Sequence, residues 1–291
     1  MQKIKLWFGI CRPRTLFASV CPVLMGFVAI GSVPRVVVAV ATLLCALSLQ
    51  ILSNLINDYY DFERGTDKAG RVGPARALAE GLVNKKQMRN ACLTALGLSV
   101  ALGFYLVVEG GWVILAIGVL AILFAWLYTA THHSLSYLGI ADIFCFLFYG
   151  PIATAGTAYL QCGRFVAGAL LLGCTCGCIA VCVLATNNIR DIEDDRAVGK
   201  RTFPVRFGIG AARVGVALML MGALLFAVRA VWGNAYGWLL LVPFAYSVYL
   251  YVRLLRAQGP QYNRCLFNFG LLNACYTVTA LVIVLLGHLM H

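Results

Sequence analysis

The segment NLINDYYDFERGTD, residues 54–67, places four acidic side chains directly behind a long apolar run. A second acidic segment, NNIRDIEDDRAVGK at residues 187–200, follows another apolar run. Nine of the eleven acidic residues belong to the two loops that these segments open: Asp58, Asp61, Glu63, Asp67, Glu80, Asp191, Glu193, Asp194 and Asp195. Because acids are so rare elsewhere in the chain, their concentration at two places predicts a functional site built from both segments.

The rest of the sequence indicates that these acids lie at a membrane. The chain has 291 residues, of which 62% are hydrophobic and 12% charged, and its mean hydropathy is +0.86. These values exclude an ordinary soluble domain. Apolar runs of about 17–25 residues, the length that crosses the hydrocarbon layer, occur nine times, with centres near residues 23, 46, 99, 121, 150, 176, 221, 244 and 277. The predicted fold is therefore all-α, with nine transmembrane helices around a central cavity.

Positive charge predicts the orientation, because Lys and Arg in short loops stay on the cytoplasmic side. With nine spans and a cytoplasmic N-terminus, 20 of the 23 Lys and Arg residues lie on that side, together with both acidic segments. We therefore expect a multi-pass protein of the cell (inner) membrane, with its active-site loops in the cytoplasm. The formal net charge of +12 lies mostly in loops next to the membrane. Attraction to anionic lipid headgroups accounts for a positive charge at this place, so no nucleic-acid partner is expected.

The two acidic segments also resemble each other. When Asp58 is aligned with Asp191, Asn54 falls on Asn187 and Asp61 falls on Asp194. This similarity predicts an internal repeat of two four-helix halves, and pseudo-twofold symmetry would bring the two segments face to face across the cavity. The expected domain is residues 1–291, with halves at about 1–135 and 136–260 and one helix added at the end.

Helical spacing aligns the acids within each segment, provided that each helix continues past its apolar run. The predicted stripes are Asn54, Asp58 and Asp61 in the first segment and Asn187, Asp191, Asp194 and Asp195 in the second. Two such stripes would repel each other in a partly dry cavity unless cations lay between them. Magnesium fits best, because it takes oxygen ligands and is usually held by a few carboxylates together with substrate phosphates.

Basic residues are interleaved with these acids. The candidates for binding phosphate oxygens are Arg71, Arg76, Lys200 and Arg201. Carboxylates for a metal beside Arg and Lys for phosphate favour a diphosphate site over a bare cation site. A cation transporter is the alternative from another class. Transporters, however, bind their ions near the bilayer midplane, and no acid lies at the centre of a predicted span.

At these residues the sequence resembles the UbiA superfamily of intramembrane aromatic prenyltransferases. The superfamily has an NDxxD-type motif after the second span and a DxxxD-type motif after the sixth, which here read Asn57-Asp58-Tyr-Tyr-Asp61 and Asp191-Ile-Glu-Asp-Asp195. Further stretches are similar to the branch that prenylates 1,4-dihydroxy-2-naphthoate in menaquinone biosynthesis. They are CRPRTLFASVCPVLMG, NDYYDFERGTD with its longer gap to Asp67, RVGPARALAEGLV, YLGIADIFCFLFYGPIATAGTAY and RDIEDDRAVGKRTFPVRFG.

The resemblance implies magnesium-dependent transfer of a polyprenyl group from polyprenyl diphosphate to an aromatic acceptor, with diphosphate and CO2 released in the naphthoate branch. The expected metal ligands are Asp58, Asp61, Asp67, Asp191 and Asp195. The expected substrate-binding residues are Asn54, Asn57, Asn187, Asn188, Tyr128, Tyr149 and the four basic candidates. Asp142 matches an acidic position of the family and is the expected acceptor-contacting or proton-handling group.

Three points stay open in the sequence. After Tyr128-Thr129 the branch usually has a Gly- and Pro-rich turn, whereas this chain has ATHHSLS with His132 and His133. The acceptor could therefore be 4-hydroxybenzoate or another compound. Arg12 or Arg14 could meet the carboxylate of the acceptor, although topology alone would explain both. Prenyl chain length and oligomeric state are not fixed by the sequence.

Overall fold

The computed structural model describes residues 2–65, 76–128 and 134–289, and within these ranges the chain is helical and has no strand. The helices are α1 (Gln2–Ile10), α2 (Phe17–Ile30), α3 (Val36–Glu63), α4 (Lys85–Leu127), α5 (Leu135–Leu138), α6 (Ala141–Phe148), α7 (Pro151–Cys162), α8 (Ala167–Arg190), α9 (Ile192–Ala197), α10 (Phe203–Ala230), α11 (Leu241–Arg256) and α12 (Gln261–Leu289). The predicted all-α class is confirmed. Asp67, Arg71, His132 and His133 lie outside the described residues.

Seven helical segments of the described chain are long and apolar enough to cross a membrane. They are Val36–Glu63, Lys85–Leu127, Ala141–Cys162, Ala167–Arg190, Phe203–Ala230, Gly237–Arg256 and Gln261–Leu289. The first predicted span corresponds to α2, which has 14 residues and is about 21 Å long at 1.5 Å per residue. The third and fourth predicted spans both fall within α4. The protein is therefore a multi-pass membrane protein, and seven membrane-spanning segments are found in its described part when they are counted by helix length.

Helix α4 is a hairpin of two arms. It has 43 residues, so a straight α4 would be about 64 Å long, twice the thickness of the hydrocarbon layer. Gly111 interrupts it with φ of 66° and ψ of −155°, outside the helical region. Met88, near the start of α4, belongs to an apolar cluster that includes Tyr60 of α3. Trp126, near the end of α4, contacts the same tyrosine, with ring centroids 5.7 Å apart. The two ends meet because the chain reverses at Gly111.

The span around residue 150 is broken, and two glycines of α8 receive the break. A Cβ on Gly177 would lie 2.5 Å from the carbonyl oxygen of Phe146, and one on Gly173 would lie 2.6 Å from the Cα of Pro151. Small residues four apart let helix backbones approach closely in membranes. This contact fixes the turn between α6 and α7, and with it the side chain of Tyr149.

We expect Gly177→Val to destabilise the protein by about 3 kcal/mol, because the added carbons meet a backbone atom that cannot rotate away. The measurement is the thermal denaturation midpoint of the detergent-solubilised protein. Gly168→Val is the matched control, since Gly168 lies in the same helix and a Cβ there would have no atom within 4 Å. Equal midpoints for the two variants would contradict the close approach.

Candidate active site

The N-terminal segment is tied to α3 next to the first acidic segment. The amide of Asn54 donates hydrogen bonds to the carbonyl of Cys11 at 3.3 Å and to the hydroxyl of Thr15 at 3.2 Å. Arg12 between them has a positive φ of 53°, a left-handed conformation that is costly for a non-glycine residue. Its guanidinium donates to the carboxylate of Asp58. The segment therefore delivers Arg12 to the acids, and the amide of Asn54, a predicted substrate contact, holds that segment.

Arg76 lies among the acids of the first segment, in accord with its place among the predicted phosphate-binding residues. Its side chain is 8% exposed and pairs with Asp58 and, at 3.5 Å, with Asp61. The carboxylates of Asp58 and Asp61 are themselves buried. A basic side chain from the loop after α3 thus covers the C-terminal end of that helix.

Lys200 joins the two acidic segments. Its ammonium nitrogen lies 3.4 Å from Asp61 of the first segment and 3.8 Å from Asp195 of the second. Burial alone would lower the pKa of Lys200, but the carboxylates of Asp61 and Asp195 raise it above its usual value, so the group stays charged. The expectation that the two segments face each other is therefore met, since one cation is shared between them.

Arg190 connects the second segment to the C-terminal helix α12. Its guanidinium donates to both oxygens of Asp191, at 2.7 and 2.6 Å, and to the amide oxygens of Asn187 and Asn263, each at 2.7 Å. The side chains of Arg190 and Asp191 are 2% and 5% exposed. Asn263 was not predicted, because a single Asn in a span without a motif gives no sequence signal.

The second segment is not one continuous stripe. Helix α8 ends at Arg190, and α9 begins after Asp191, whose φ of −98° and ψ of 15° are not helical. As a consequence Asp195 is buried whereas Asp194 is exposed. The prediction that Asp194 belongs to the stripe is wrong. The pair that points inward is Asp191 and Asp195, as in the DxxxD-type motif.

Basic side chains lie between the carboxylates. The four buried aspartates of the two segments are paired with four cations of the described chain: Arg12, Arg76, Arg190 and Lys200. The repulsion for which the sequence suggested a metal is therefore balanced by the protein itself. Among the described residues, no three His, Cys, Asp or Glu side chains form a metal-ligand group on their own.

An aromatic group with one acid lies beside these carboxylates. Tyr128, just past the end of α4, and Tyr149, just past the end of α6, pack against the same apolar cluster of Phe124, Leu135 and Ala141, and Asp142 lies next to Ala141 in the first turn of α6. The pKa of Tyr128 is raised well above the usual value, mainly by burial and further by Cys145 and Asp142, so the phenol stays neutral. The structure thus brings together Tyr128, Tyr149 and Asp142, all three of which were predicted site residues.

Three other predicted residues have less defined places. Asn188 is buried and Asn57 is half-buried near the ends of α8 and α3. Arg201 is exposed, and the contacts in the described part of the chain do not bring its side chain to the acids. Its neighbour Lys200 is the residue that does so.

Tyr137 is an aromatic residue of this site that the sequence did not indicate. Its ring faces the guanidinium of Arg64 at 5.2 Å and the ammonium of Lys200 at 5.9 Å. Cations are attracted to an aromatic face at such distances. The ring therefore supports the lysine that joins the two segments.

An apolar cavity begins one to two helical turns from the acids. Its volume is about 570 Å3, and it is lined by α2, α3, α4, α6 and α7. At one end the hydroxyl of Tyr149 lies within hydrogen-bonding reach of Gln50 and Ser53. Gln50 donates to the amide oxygen of Asn54 at 3.3 Å, and Asp58 follows Asn54 by one helical turn. The polar end of the cavity thus lies one to two turns of α3 from the buried carboxylate of Asp58.

Comparison with known proteins agrees with this arrangement. A model of the UbiA prenyltransferase family matches residues 19–274, a range that contains both acidic segments and all the cavity-lining residues except Ala18. The chain belongs to the UbiA prenyltransferase family. It is therefore a prenyltransferase, and the resemblance that the motifs indicated is confirmed.

Individual members of the UbiA prenyltransferase family match most of the chain. It is 34% identical over 259 residues to the 1,4-dihydroxy-2-naphthoate octaprenyltransferase of Escherichia coli (strain K12), a match that covers 83% of this chain and 82% of that protein. The enzyme of the same description from Mycobacterium tuberculosis is 34% identical over 216 residues, or 74% of each chain. A UbiA homolog from Archaeoglobus fulgidus, solved bound to GPP and Mg2+, has the same fold, with a TM-score of 0.70 at 18% identity over 96% of this chain and 99% of that chain.

Proposed function

We propose that the protein transfers a polyprenyl group from polyprenyl diphosphate to 1,4-dihydroxy-2-naphthoate and releases diphosphate and CO2, as a step of menaquinone biosynthesis. The observation that supports this most is the shared cation Lys200, between Asp61 and Asp195, in a group of buried charges that lies one to two turns of α3 beyond the polar end of an apolar cavity. A charged head and a long apolar tail are the two parts of a prenyl diphosphate. Relatives described as acting on this naphthoate are 34% identical over most of the chain.

The basic side chains would bind the diphosphate. Arg12, Arg76 and Lys200 now pair with carboxylates, and each can turn toward phosphate oxygens, for which Arg and Lys are the usual partners. The apolar tail would then lie in the cavity lined by α3 and α4. This arrangement fixes the bond between the head and the tail at the boundary of polar and apolar surroundings.

The acids fit magnesium when the diphosphate is present. Asp61 and Asp195 already share one cation, and all the candidate ligands are carboxylate oxygens. The ion is usually held by one or two carboxylates and substrate phosphates rather than by a complete protein cage, which agrees with the absence of a three-residue group in the described chain. Asp58, Asp61, Asp191 and Asp195 would hold it, with Asp67 as a further candidate. When bound, it neutralises the charge that develops on the leaving diphosphate.

The protein would handle the organic part of the reaction with its aromatic group. As the bond to diphosphate breaks, the prenyl carbon becomes electron-poor, and the faces of Tyr128 and Tyr149 can stabilise positive charge. The apolar wall keeps water from this carbon. A ring carbon of the acceptor supplies the electron pair for the new bond and then loses its proton. The carboxylate of the acceptor leaves as CO2, and the ring carbon that carried it takes up a proton, so that no net proton is consumed. Asp142 is the candidate to contact the acceptor or take up a ring proton.

The proposed topology has nine spans in the cell (inner) membrane. The two arms of α4 supply two of them, and the short α2 supplies the first. With this count the N-terminus and both acidic segments lie on the cytoplasmic side, where 20 of 23 basic residues also lie. The repeat of two four-helix halves remains part of this proposal.

The test is prenyl transfer by purified protein in detergent. Radiolabelled polyprenyl diphosphate is offered with 1,4-dihydroxy-2-naphthoate or with 4-hydroxybenzoate, with magnesium or with a chelator, to wild type and to Asp191→Ala. We expect wild type to form product with the naphthoate and not with the benzoate, and only when magnesium is present. Asp191→Ala should form no product. Product with the benzoate and none with the naphthoate would mean that the acceptor is 4-hydroxybenzoate and not 1,4-dihydroxy-2-naphthoate. A protein that binds no prenyl diphosphate would refute the proposal.

A further inference from the structure

Tyr137 faces two cations that come from different acidic segments. Its ring, in the short helix α5, lies 5.2 Å from the guanidinium carbon of Arg64 and 5.9 Å from the ammonium nitrogen of Lys200. Arg64 follows α3 in the first segment, and Lys200 is the last residue of the second. Both distances are within the range at which an aromatic face attracts a cation. One ring therefore contacts a basic side chain of each segment.

The backbone holds this ring next to Lys200. Helix α5 is followed by Gly139, whose φ of 74° lies in the left-handed region that favours glycine. A Cβ on Gly139 would overlap the carbonyl oxygen of Arg201, the residue after Lys200. At the other end of α5, Ser134 is fully buried. Helix α5 is therefore packed against the loop that carries Lys200, and the ring keeps its place when the ion pairs of Lys200 change.

The proposed reaction requires Lys200 to change its partners. The ammonium lies 3.4 Å from Asp61 and 3.8 Å from Asp195, two candidate ligands for magnesium. An ammonium between two carboxylates repels a divalent cation that approaches the same oxygens, so Lys200 has to move away for magnesium to bind there. The side chain of Lys200 is only 15% exposed, and a charged group kept from water needs another partner. The face of Tyr137 is a partner that Lys200 already has.

We propose that Tyr137 is a positioning residue that holds Arg64 and Lys200 on its face and directs both cations to the phosphate oxygens of the substrate. Arg64 is then a further diphosphate-binding residue, since Arg and Lys are the usual partners of phosphate. This inference rests on the proposed function, because a prenyl diphosphate is taken as the ligand. It predicts that loss of the ring weakens diphosphate binding even without magnesium. It also predicts a higher magnesium requirement, because Lys200 would then stay with the carboxylates.

The test compares wild type, Tyr137→Phe, Tyr137→Leu and Phe207→Leu. Tyr137→Phe keeps the aromatic face, whereas Tyr137→Leu removes it. Phe207 is the matched control, because its ring faces the guanidinium of Arg206 at 5.3 Å but is 58% exposed on α10. The first measurement is the Kd of radiolabelled geranylgeranyl diphosphate for the detergent-solubilised protein in the presence of a chelator. The second is the magnesium concentration that gives half of the maximal rate of transfer to the naphthoate.

Tyr137→Leu should raise the Kd about ten-fold, which corresponds to the loss of partly desolvated contacts between a cation and a ring. It should also raise the magnesium concentration for half of the maximal rate about three-fold. Tyr137→Phe should stay within about two-fold of wild type in both measurements, because the face of its ring is kept. Phe207→Leu should follow wild type. A variant that merely lowered the amount of folded protein would reduce the rate without changing either value.

Three results would overturn the proposal. They are equal Kd values for Tyr137→Leu and wild type, equal losses in Tyr137→Phe and Tyr137→Leu, and a wild type that binds geranylgeranyl diphosphate only with magnesium. If Tyr137→Leu does not fold, Arg64→Gln gives the test with the ring intact. It should raise the same Kd about ten-fold, and an unchanged Kd would overturn the proposal. Wild type that binds geranylgeranyl diphosphate but transfers nothing to the naphthoate would count against the proposed function and not against the role of Tyr137.

Discussion

Asp195→Asn is expected to lower kcat/KM for prenyl transfer by about a hundred- to a thousand-fold, the usual loss when one preorganised electrostatic group is removed from an active site. The substitution keeps the size of the side chain and removes only its charge. That charge lies 3.8 Å from Lys200, which in turn lies 3.4 Å from Asp61. Its loss would weaken the shared-cation arrangement between the two segments. Steady-state kinetics with a polyprenyl diphosphate and the naphthoate measure the effect.

The adjacent residue gives the control. Asp194 is also an aspartate of α9, but its side chain is exposed. Asp194→Asn therefore removes an equal charge outside the buried group. We expect Asp194→Asn to change kcat/KM by less than about two-fold, since exposed charges are screened by water and salt. Equal losses in the two variants would mean that total loop charge matters and that the buried position of Asp195 does not. Unchanged activity in Asp195→Asn would remove it from the site.

Much of the fold was predictable because the membrane imposes a length on each apolar run. Every predicted centre falls within a helix or, near residue 150, at the break between two. The departures are local. Helix α2 is short, and α4 reverses at Gly111 with little polar sequence between its arms. Neither run length nor hydropathy indicates where Pro151 and the glycines of α8 would break a span, because close backbone packing depends on partners far along the chain.

The site was predictable in its acids and less so in their partners. Repetition at matched places indicated Asp58, Asp61 and Asp191, since chance seldom repeats a polar pattern in an apolar chain. It also aligned Asp61 with Asp194, which is exposed, and the buried Asp195 was indicated by the resemblance to the DxxxD-type motif. It was harder to predict which basic residues pair with these acids. The positive-inside rule already accounts for Arg and Lys near membrane spans, whether or not a functional site is present. Arg12 was considered only for the acceptor or for topology. Its contact with Asp58 needs the left-handed turn before α2, which no residue pattern specifies.

Arg190 illustrates the same difficulty and carries the largest expected effect on stability. Arg190→Met is expected to destabilise the protein by about 3–5 kcal/mol, because it removes the guanidinium that donates to both oxygens of the buried carboxylate of Asp191. The midpoint of thermal denaturation in detergent should fall by roughly 5–15 °C for a chain of this size. Arg196→Met is the control. Arg196 pairs with Glu193, but both side chains are exposed, at 55% and 78%, so at most about 1 kcal/mol is expected.

A double substitution separates the unpaired charge from other consequences of losing Arg190. If the cost arises from a buried carboxylate, Arg190→Met with Asp191→Asn should be more stable than Arg190→Met alone, because the second change removes the buried charge that Arg190 had balanced. Activity should remain absent, since Asp191 is a proposed ligand. A double variant that is no more stable than Arg190→Met would point instead to the lost hydrogen bonds to Asn187 and Asn263. In that case the main role of Arg190 would be to hold α12 against α8, and its pairing with Asp191 would contribute little to stability.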